Sequence, residues 1–129
     1  VALWGRWNSR GTRVVYCSAN LSLAALEILV HLNPPVAFKS VAIELEFEDK
    51  LIETIAAKSF PSDFTQEPPA RSTMRIGDLW VKEGRSAVLE LPSAIVPSES
   101  NYLLNPSHRD FQKIKIRKPV AFSFDPCLL

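Results

Sequence analysis

Three side chains of different chemistry stand at near-equal intervals early in this 129-residue chain: Arg6, Tyr16 and Glu27. A guanidinium presents a planar fork of donors that suits phosphate or pyrophosphate oxygens. A phenol offers a flat ring for stacking and one hydroxyl. Glu27 interrupts Leu23-Ala24-Ala25-Leu26-Glu27-Ile28-Leu29-Val30, a run otherwise apolar. A chain that needed only a core would place Leu or Ala there, because an ion taken out of water costs several kcal/mol, a large share of a small domain's stability. The carboxylate is therefore expected to serve chemistry or a specific partner, the plain alternative being a solvent-facing Glu on a helix edge. Together the three groups suit cleavage of an N-glycosidic bond in a dinucleotide such as NAD. An ordinary glycosidase needs two carboxylates, one of them to protonate the leaving oxygen. A pyridinium base leaves as a neutral molecule, so a single carboxylate facing the oxocarbenium-like sugar and holding its hydroxyls can suffice.

Other chemistries find no support. The chain has no Gly-x-Gly-x-x-Gly, no phosphate loop ending in Gly-Lys-Ser/Thr and no Gly-x-Ser-x-Gly elbow. Neither His31 nor His108 lies in a context that suggests a hydrolase base; His31, closing an apolar helix, reads as a capping or core histidine. Cys17 and Cys127 are too few and too far apart for a metal knuckle, so no metal is expected; they read as free thiols of a cytoplasmic protein, a disulfide between them being the alternative, and no cofactor is expected. Net charge is +1, and the basic residues cluster only at Lys113-Ile114-Lys115-Ile116-Arg117-Lys118, whose alternation reads as a solvated strand face rather than a nucleic-acid surface. The apolar run from Leu21 to Val30 is far too short to span a membrane.

The elements that must position these groups read as one α+β domain over residues 1–129, with 47% apolar and 22% charged residues supporting a single core. Arg13–Cys17 reads as a strand after the Gly11 turn. Ser18 or Asn20 can cap a helix running to about His31-Leu32, stopped by Asn33-Pro34-Pro35. Because its apolar positions wrap nearly all round, this helix is expected to be buried on most sides. Phe38 to Phe47 alternates as one half-buried strand, with Val41, Ile43, Leu45 and Phe47 inward. Ser59–Ser72, with Pro61, Pro68 and Pro69, reads as a long surface loop of the kind that forms lids or contacts. Ser72 or Thr73 caps a second helix through Ile76, Leu79 and Trp80, ending at Gly84. Five further short strands are predicted at 87–91, 94–96, 102–104, 113–117 and 121–124. Two or three helices with six or seven strands, in no βαβ rhythm, give the α+β reading.

With these residues in place the chain resembles the RES-domain family, named for Arg, Glu and Ser and comprising toxin halves of bacterial toxin–antitoxin pairs. The resemblance rests on Gly5-Arg6-Trp7-Asn8-Ser9-Arg10-Gly11, Val15-Tyr16, Leu23-Ala24-Ala25-Leu26-Glu27 through His31-Leu32, and Ile76-Gly77-Asp78-Leu79-Trp80. It continues through Leu91-Pro92-Ser93-Ala94-Ile95-Val96-Pro97 and Asn101-Tyr102-Leu103-Leu104-Asn105-Pro106, covering most of the chain in order. The resemblance implies a fold like that of ADP-ribosyltransferase toxins and an activity that destroys NAD as substrate. It implies an Xre-type antitoxin protein that blocks the site, and leaves room for a homodimer within that complex.

Carried over residue by residue, Arg6 would bind the phosphates, Tyr16 would stack near the nicotinamide and Glu27 would act as the ionised catalytic carboxylate. Ser93 best matches the family serine, with Ser98 second, and Asn101 would hold the ribose or its own loop. Trp7 and Trp80 read as packing residues. Two departures stand out: a short segment is expected before Val1, and Cys127 occupies a place where the family pattern has Arg. Water, phosphate or a protein side chain could each accept the ADP-ribosyl group, and a non-catalytic domain that only binds its antitoxin is the alternative of another class.

Overall fold

A four-stranded sheet assembled from three separate stretches of the chain carries Tyr16 and Asn101 and backs the helix that carries Glu27. The computed structural model describes residues 5–31, 39–55, 60, 62, 64–65 and 71–123. In chain order the elements are β1 (Val15–Ser18), α1 (Leu21–His31), β2 (Lys39–Ala42), β3 (Leu45–Glu46), β4 (Ile52–Thr54), α2 (Arg71–Glu83), β5 (Val88–Pro92), β6 (Ser100–Leu104), β7 (Lys115–Ile116) and β8 (Val120–Ser123). Short 3-10 turns stand at Asp49–Leu51 and Phe111–Lys113. The sheet order is β1-β6-β5-β4, with β6 antiparallel to both neighbours and β4 parallel to β5. A parallel pair cannot be closed by a hairpin, and the connection between β4 and β5 contains α2. Two-stranded ribbons β2–β8 and β3–β7 complete an α+β domain.

Register sorts the sheet into two faces. Tyr16 pairs with Leu103 and Leu103 with Leu89; Ser18 pairs with Asn101 and Asn101 with Leu91. Paired residues share a face, so Tyr16, Ser18, Asn101, Leu103, Leu89 and Leu91 all project to one side. There Leu89, Leu91 and Leu103 pack with Trp7 and with Trp80 of α2, all at most 2% exposed. The opposite side buries Val88 and Leu104 with Leu51, Ala87 and Ile114. Both tryptophans are thus core residues, and the Trp80 indole N–H donates to Ser86 Oγ at 2.8 Å.

Helix α2 ends as expected. Gly84 takes φ +60°, and the Gly84 and Arg85 N–H groups bond back to the carbonyls of Val81 and Trp80, the paired bonds of a Schellman stop. Its start differs from expectation: the helix already includes Arg71, and Thr73 is fully buried within it, so neither Ser72 nor Thr73 is a cap.

Three further expectations need correcting. Residues 94–96 form no strand; Pro92 closes β5, and the Ser93 hydroxyl draws in the N–H groups of Ile95 and Val96 as a turn. The stretch from Phe38 to Phe47 is two strands, β2 and β3, each pairing with a different partner, and Val41 and Ile43 are 62% and 50% exposed. Alternation specifies a face but not what covers it. Within 113–117 only Lys115–Ile116 is strand, the preceding residues being a 3-10 turn. Strand β4, at the sheet edge, was not anticipated. Phe38, Phe124 and Cys127 lie outside the described residues.

Helix α1 is the largest departure. Leu21, Leu26, Ile28 and Val30 are 40–55% exposed, and Leu23 alone is deeply buried, at 3%. An all-round apolar sequence carries no directional information, and among the described residues only one side of α1 packs, chiefly on β1. Asn20 is the cap: its Oδ1 accepts the Leu23 N–H at 2.8 Å, while its Nδ2 donates to Glu99 at 3.0 Å. With so little burial to hold α1, Asn20→Ala is expected to cost about 1 kcal/mol. Thermal unfolding should register that as a fall in Tm of about 3–5 °C; no change would show that Asn20 does not anchor the helix.

Candidate functional site

Leu23 and Glu27 are four residues apart, so the carboxylate stands one turn along the same side of α1 that packs on the sheet. It meets two donors there. Ser93 Oγ and Asn101 Nδ2 each donate to Glu27 Oε1 at 2.8 Å. Glu27 Oε2 has no hydrogen bond among the described residues, so one oxygen is held and the other is presented. Glu27 itself is only half-buried, the position of an ion that keeps contact with solvent while its direction is fixed.

Ser93 continues the alternation Leu89, Leu91, Ser93 just beyond β5, which brings it to the same sheet face as Asn101. The residue is fully buried. Its hydroxyl donates to Glu27 and accepts the Ile95 and Val96 N–H groups, both at 3.1 Å, while its own N–H reaches Glu99 O at 2.8 Å. Every polar atom of its side chain is committed within the protein. Ser98, the second candidate for the family serine, is exposed, and the serine that reaches Glu27 is Ser93.

Asn101 has a second partner that the sequence did not suggest. Ser18 Oγ donates to Asn101 Oδ1 at 2.9 Å. An amide has an acceptor and a donor end of nearly equal size; engaging the oxygen turns the nitrogen toward Glu27. Ser18 was read only as a possible helix cap. The signal was available in its spacing, two residues from Tyr16 in a strand, which places both on one face.

Tyr16 and Arg6 meet through the N-terminal arm, residues 5–12. The Tyr16 hydroxyl donates to Asn8 Oδ1 and accepts the Trp7 N–H at 3.3 Å. Asn8 is 3% exposed and spends its Nδ2 on Thr12 O at 2.9 Å. Gly5 explains itself here, because a Cβ at that position would stand 2.6 Å from the Tyr16 oxygen. The Tyr16 side chain is 45% exposed overall, yet its hydroxyl is enclosed. That enclosure, helped by the nearby Asp78 carboxylate and only partly offset by the Trp7 bond and the Arg6 guanidinium, pushes the phenol up to about 12. Arg6 is half-buried, and its Nη1 donates to Phe64 O at 2.9 Å, within the loop expected to make contacts.

The five predicted residues thus fall into two linked groups. Glu27, Ser93 and Asn101 form one hydrogen-bonded cluster; Arg6 and Tyr16 form the other, close enough to interact electrostatically. Strand β1 joins them, since Tyr16 and Ser18 lie roughly 6–7 Å apart along one face. His31 closes α1. Cys17 points to the opposite sheet face, where burial raises its thiol to about 11. Among the described residues no three His, Cys, Asp or Glu side chains gather to hold a metal, and no helix is long and apolar enough to cross a membrane. A cleft of about 520 Å³ lies at the other end of the β5–β6 hairpin, lined by Lys50, Arg85, His108 and Arg109, and contains none of the site residues.

The RES domain family model matches residues 4–125. The chain is 36% identical over 126 residues to a "Toxin Res" of Yersinia enterocolitica, covering 96% of this chain and 83% of that protein. Over 127 residues it is 36% identical to a "Toxin Res" of Photorhabdus laumondii, covering 97% and 81%. A "Prs ADP-ribosylating toxin" of a Sphingobium strain is also 36% identical, over 129 residues, covering 97% and 80%.

Because the folded state holds the Tyr16 proton more tightly than an unfolded tyrosine does, its contribution to stability is intact below about pH 10 and is lost between pH 10 and about 12. Tyr16→Phe is expected to start less stable, since Asn8 and the Trp7 N–H lose a partner. Urea titrations should show a shallower loss of stability across that window, and an unchanged slope would refute the assignment. The amide-orienting bond is testable by a Ser18→Ala/Asn101→Ala double-mutant cycle, with an expected coupling of about 0.5–1.5 kcal/mol. Additive losses would mean that the two residues act separately.

Proposed function

The chain belongs to the RES-domain family, and on that footing we propose that it is a toxin that consumes NAD by breaking the nicotinamide–ribose bond. The observation that carries this reading is the Glu27 carboxylate, with Oε1 tied down by Ser93 and Asn101 and Oε2 left to face a ligand. As the C1′–N bond breaks, its electron pair passes to the ring nitrogen and cancels the pyridinium charge. Positive charge then appears on C1′ and the ring oxygen of the ribose. A preoriented anion stabilises that charge without having to turn toward it, which is where a fixed electrostatic group contributes most. The acceptor oxygen bonds to C1′ and loses its proton, giving nicotinamide, ADP-ribose and a proton when water is the acceptor.

The other residues take supporting roles. Arg6, whose Nη1 is bonded to Phe64 O, supplies donors for the pyrophosphate. Tyr16 offers its ring rather than its hydroxyl, since both hydrogen-bonding functions of that oxygen are already used. Ser93, fully buried, holds the carboxylate and does not meet the ligand directly. Asn101 has one amide hydrogen on Glu27 and keeps a second for a ribose hydroxyl. Action inside the cell, on cytoplasmic NAD, and restraint by an Xre-type antitoxin covering this site complete the reading.

A second reading shares the same bond cleavage but passes ADP-ribose to a protein side chain. The name of the Sphingobium relative favours it. Loss of NAD together with a gain of one ADP-ribosyl group on a target protein would select the transferase; NAD loss alone supports the glycohydrolase or its phosphate-using counterpart.

The decisive comparison is NAD consumption by the purified chain against Glu27→Gln. Glutamine keeps the volume and an acceptor for Ser93 and Asn101 but removes the charge. Turnover is expected to fall at least about a hundredfold, about 2.7 kcal/mol of transition-state stabilisation. Near-normal turnover in the variant would remove Glu27 from the chemistry, and an inert wild type would favour a domain that only binds its antitoxin.

A further inference from the structure

Helix α2 contains a local conflict. Gly77 and Asp78 stand side by side in the middle of Arg71–Glu83, and both are poor residues for a helix interior. Gly77 is fully accounted for by contact with the N-terminal arm: a Cβ there would lie 1.7 Å from the Trp7 carbonyl oxygen. The arm therefore rests directly on the helix backbone. Asp78 meets the same arm one residue later. Its Oδ1 accepts the Ser9 N–H at 2.9 Å and its Oδ2 accepts the Ser9 hydroxyl at 2.6 Å. Both carboxylate oxygens are engaged by one residue, and charge-assisted bonds of this kind are the stronger and more directional class. Where sequence choices oppose local structure, a tertiary or functional demand outweighs them.

What that demand is follows from what the arm carries. Gly5 and Asn8 close a tight backbone bridge, at 3.2 and 3.4 Å, around Arg6 and Trp7. Trp7 is in the core, and Ser9, two residues on, is held by the Asp78 carboxylate. Arg6 sits inside this clamped loop, so the direction of its side chain is set by where the loop is seated on α2. We infer that Asp78 is a positioning residue for the anion-binding half of the site: through Ser9 it seats the arm so that Arg6 faces the pyrophosphate of the substrate. This rests on the reading that the chain consumes NAD. Asp78 itself touches neither the reacting atoms nor the phosphates, and its effect is on binding rather than on bond cleavage.

The experiment measures KM and kcat for NAD in Asp78→Ala, Ser9→Ala and Asp78→Asn. Asp78→Ala is expected to raise KM about tenfold with kcat within about threefold, and Ser9→Ala, which removes only the hydroxyl bond, to raise KM about threefold. Asparagine keeps an acceptor for the Ser9 N–H and a donor for its hydroxyl, so Asp78→Asn should recover most of the KM. Amide hydrogen exchange read independently of NAD should show faster exchange at Trp7 and Ser9 in Asp78→Ala, with α1 unchanged. If Asp78→Ala does not fold, the Ser9→Ala pair of measurements decides. An unchanged KM in an active enzyme, or a fall in kcat at constant KM, overturns the inference. A wild type that neither binds nor consumes NAD would defeat the functional reading instead, and unaltered arm exchange would then defeat the clamp as well.

Discussion

The two hydrogen bonds that converge on Glu27 Oε1 are the constraint from which the rest of the architecture can be derived. They come from different places in the chain, the turn after β5 and the start of β6, and they end on a third element, α1. Hydrogen bonds to charged groups contribute about 1.5–3 kcal/mol each, less where solvent reaches the ion. For α1 they matter beyond their chemistry, because the helix has only Leu23 deeply seated and leaves most of its apolar side chains open. The same bonds that aim the carboxylate help to hold its helix on the sheet. Loss of the charge and loss of the anchor are thus coupled, and the site is also a joint of the fold.

A single sheet face supplies both one of the two core clusters and the polar residues gathered around Glu27. Its apolar end, Leu89, Leu91 and Leu103, packs under Trp80 of α2, and its polar end, Ser18, Asn101 and Ser93, gathers around Glu27. The polarity changes along each strand without any break in alternation. A slip of one residue in the β5–β6 or β1–β6 register would send the leucines to the wrong side and disperse the hydrogen-bonding residues together. Selection for a buried core therefore protects the site's geometry. It also explains why donors from separate segments can be placed with little help from loops.

Among the candidate residues, Glu27 stood out in the sequence as a carboxylate in an apolar run and Arg6 and Tyr16 by chemical type and spacing, whereas Ser93 and Asn101 were named only through the resemblance to the RES-domain family. The stop of α2 at Gly84 and the strands β1, β5 and β6 were legible because turn chemistry and alternation are local. What could not be read was anything decided by a partner distant in sequence. Alternation through Val41 and Ile43 promised burial that the ribbon β2–β8 does not provide. The apolar wrap of α1 suggested enclosure, yet among the described residues the sheet covers one side only. Ile52–Thr54 is too short and too mixed to announce itself, and becomes a strand because β5 runs beside it. Ser18 and Asn8 act by orienting other groups, and a residue of that kind carries no signature until its partner is known.

The glycines in the recognised stretches show how steric and chemical demands combine in one motif. Neither Gly5 nor Gly77 takes a positive φ; each is required because something stands where a Cβ would be, the Tyr16 oxygen in one case and the Trp7 carbonyl in the other. Those two close approaches bring the arm against β1 on one side and α2 on the other. Once it is seated there, the Tyr16 hydroxyl falls between the Trp7 N–H and Asn8 and is used up as structure. Its ring stays partly open. A residue read from sequence as a chemical group is thus divided by the fold: the polar atom fixes the arm and the ring stays partly exposed. The same division recurs at Glu27, whose Oε1 is bound into the scaffold by Ser93 and Asn101 while Oε2 has no hydrogen bond among the described residues.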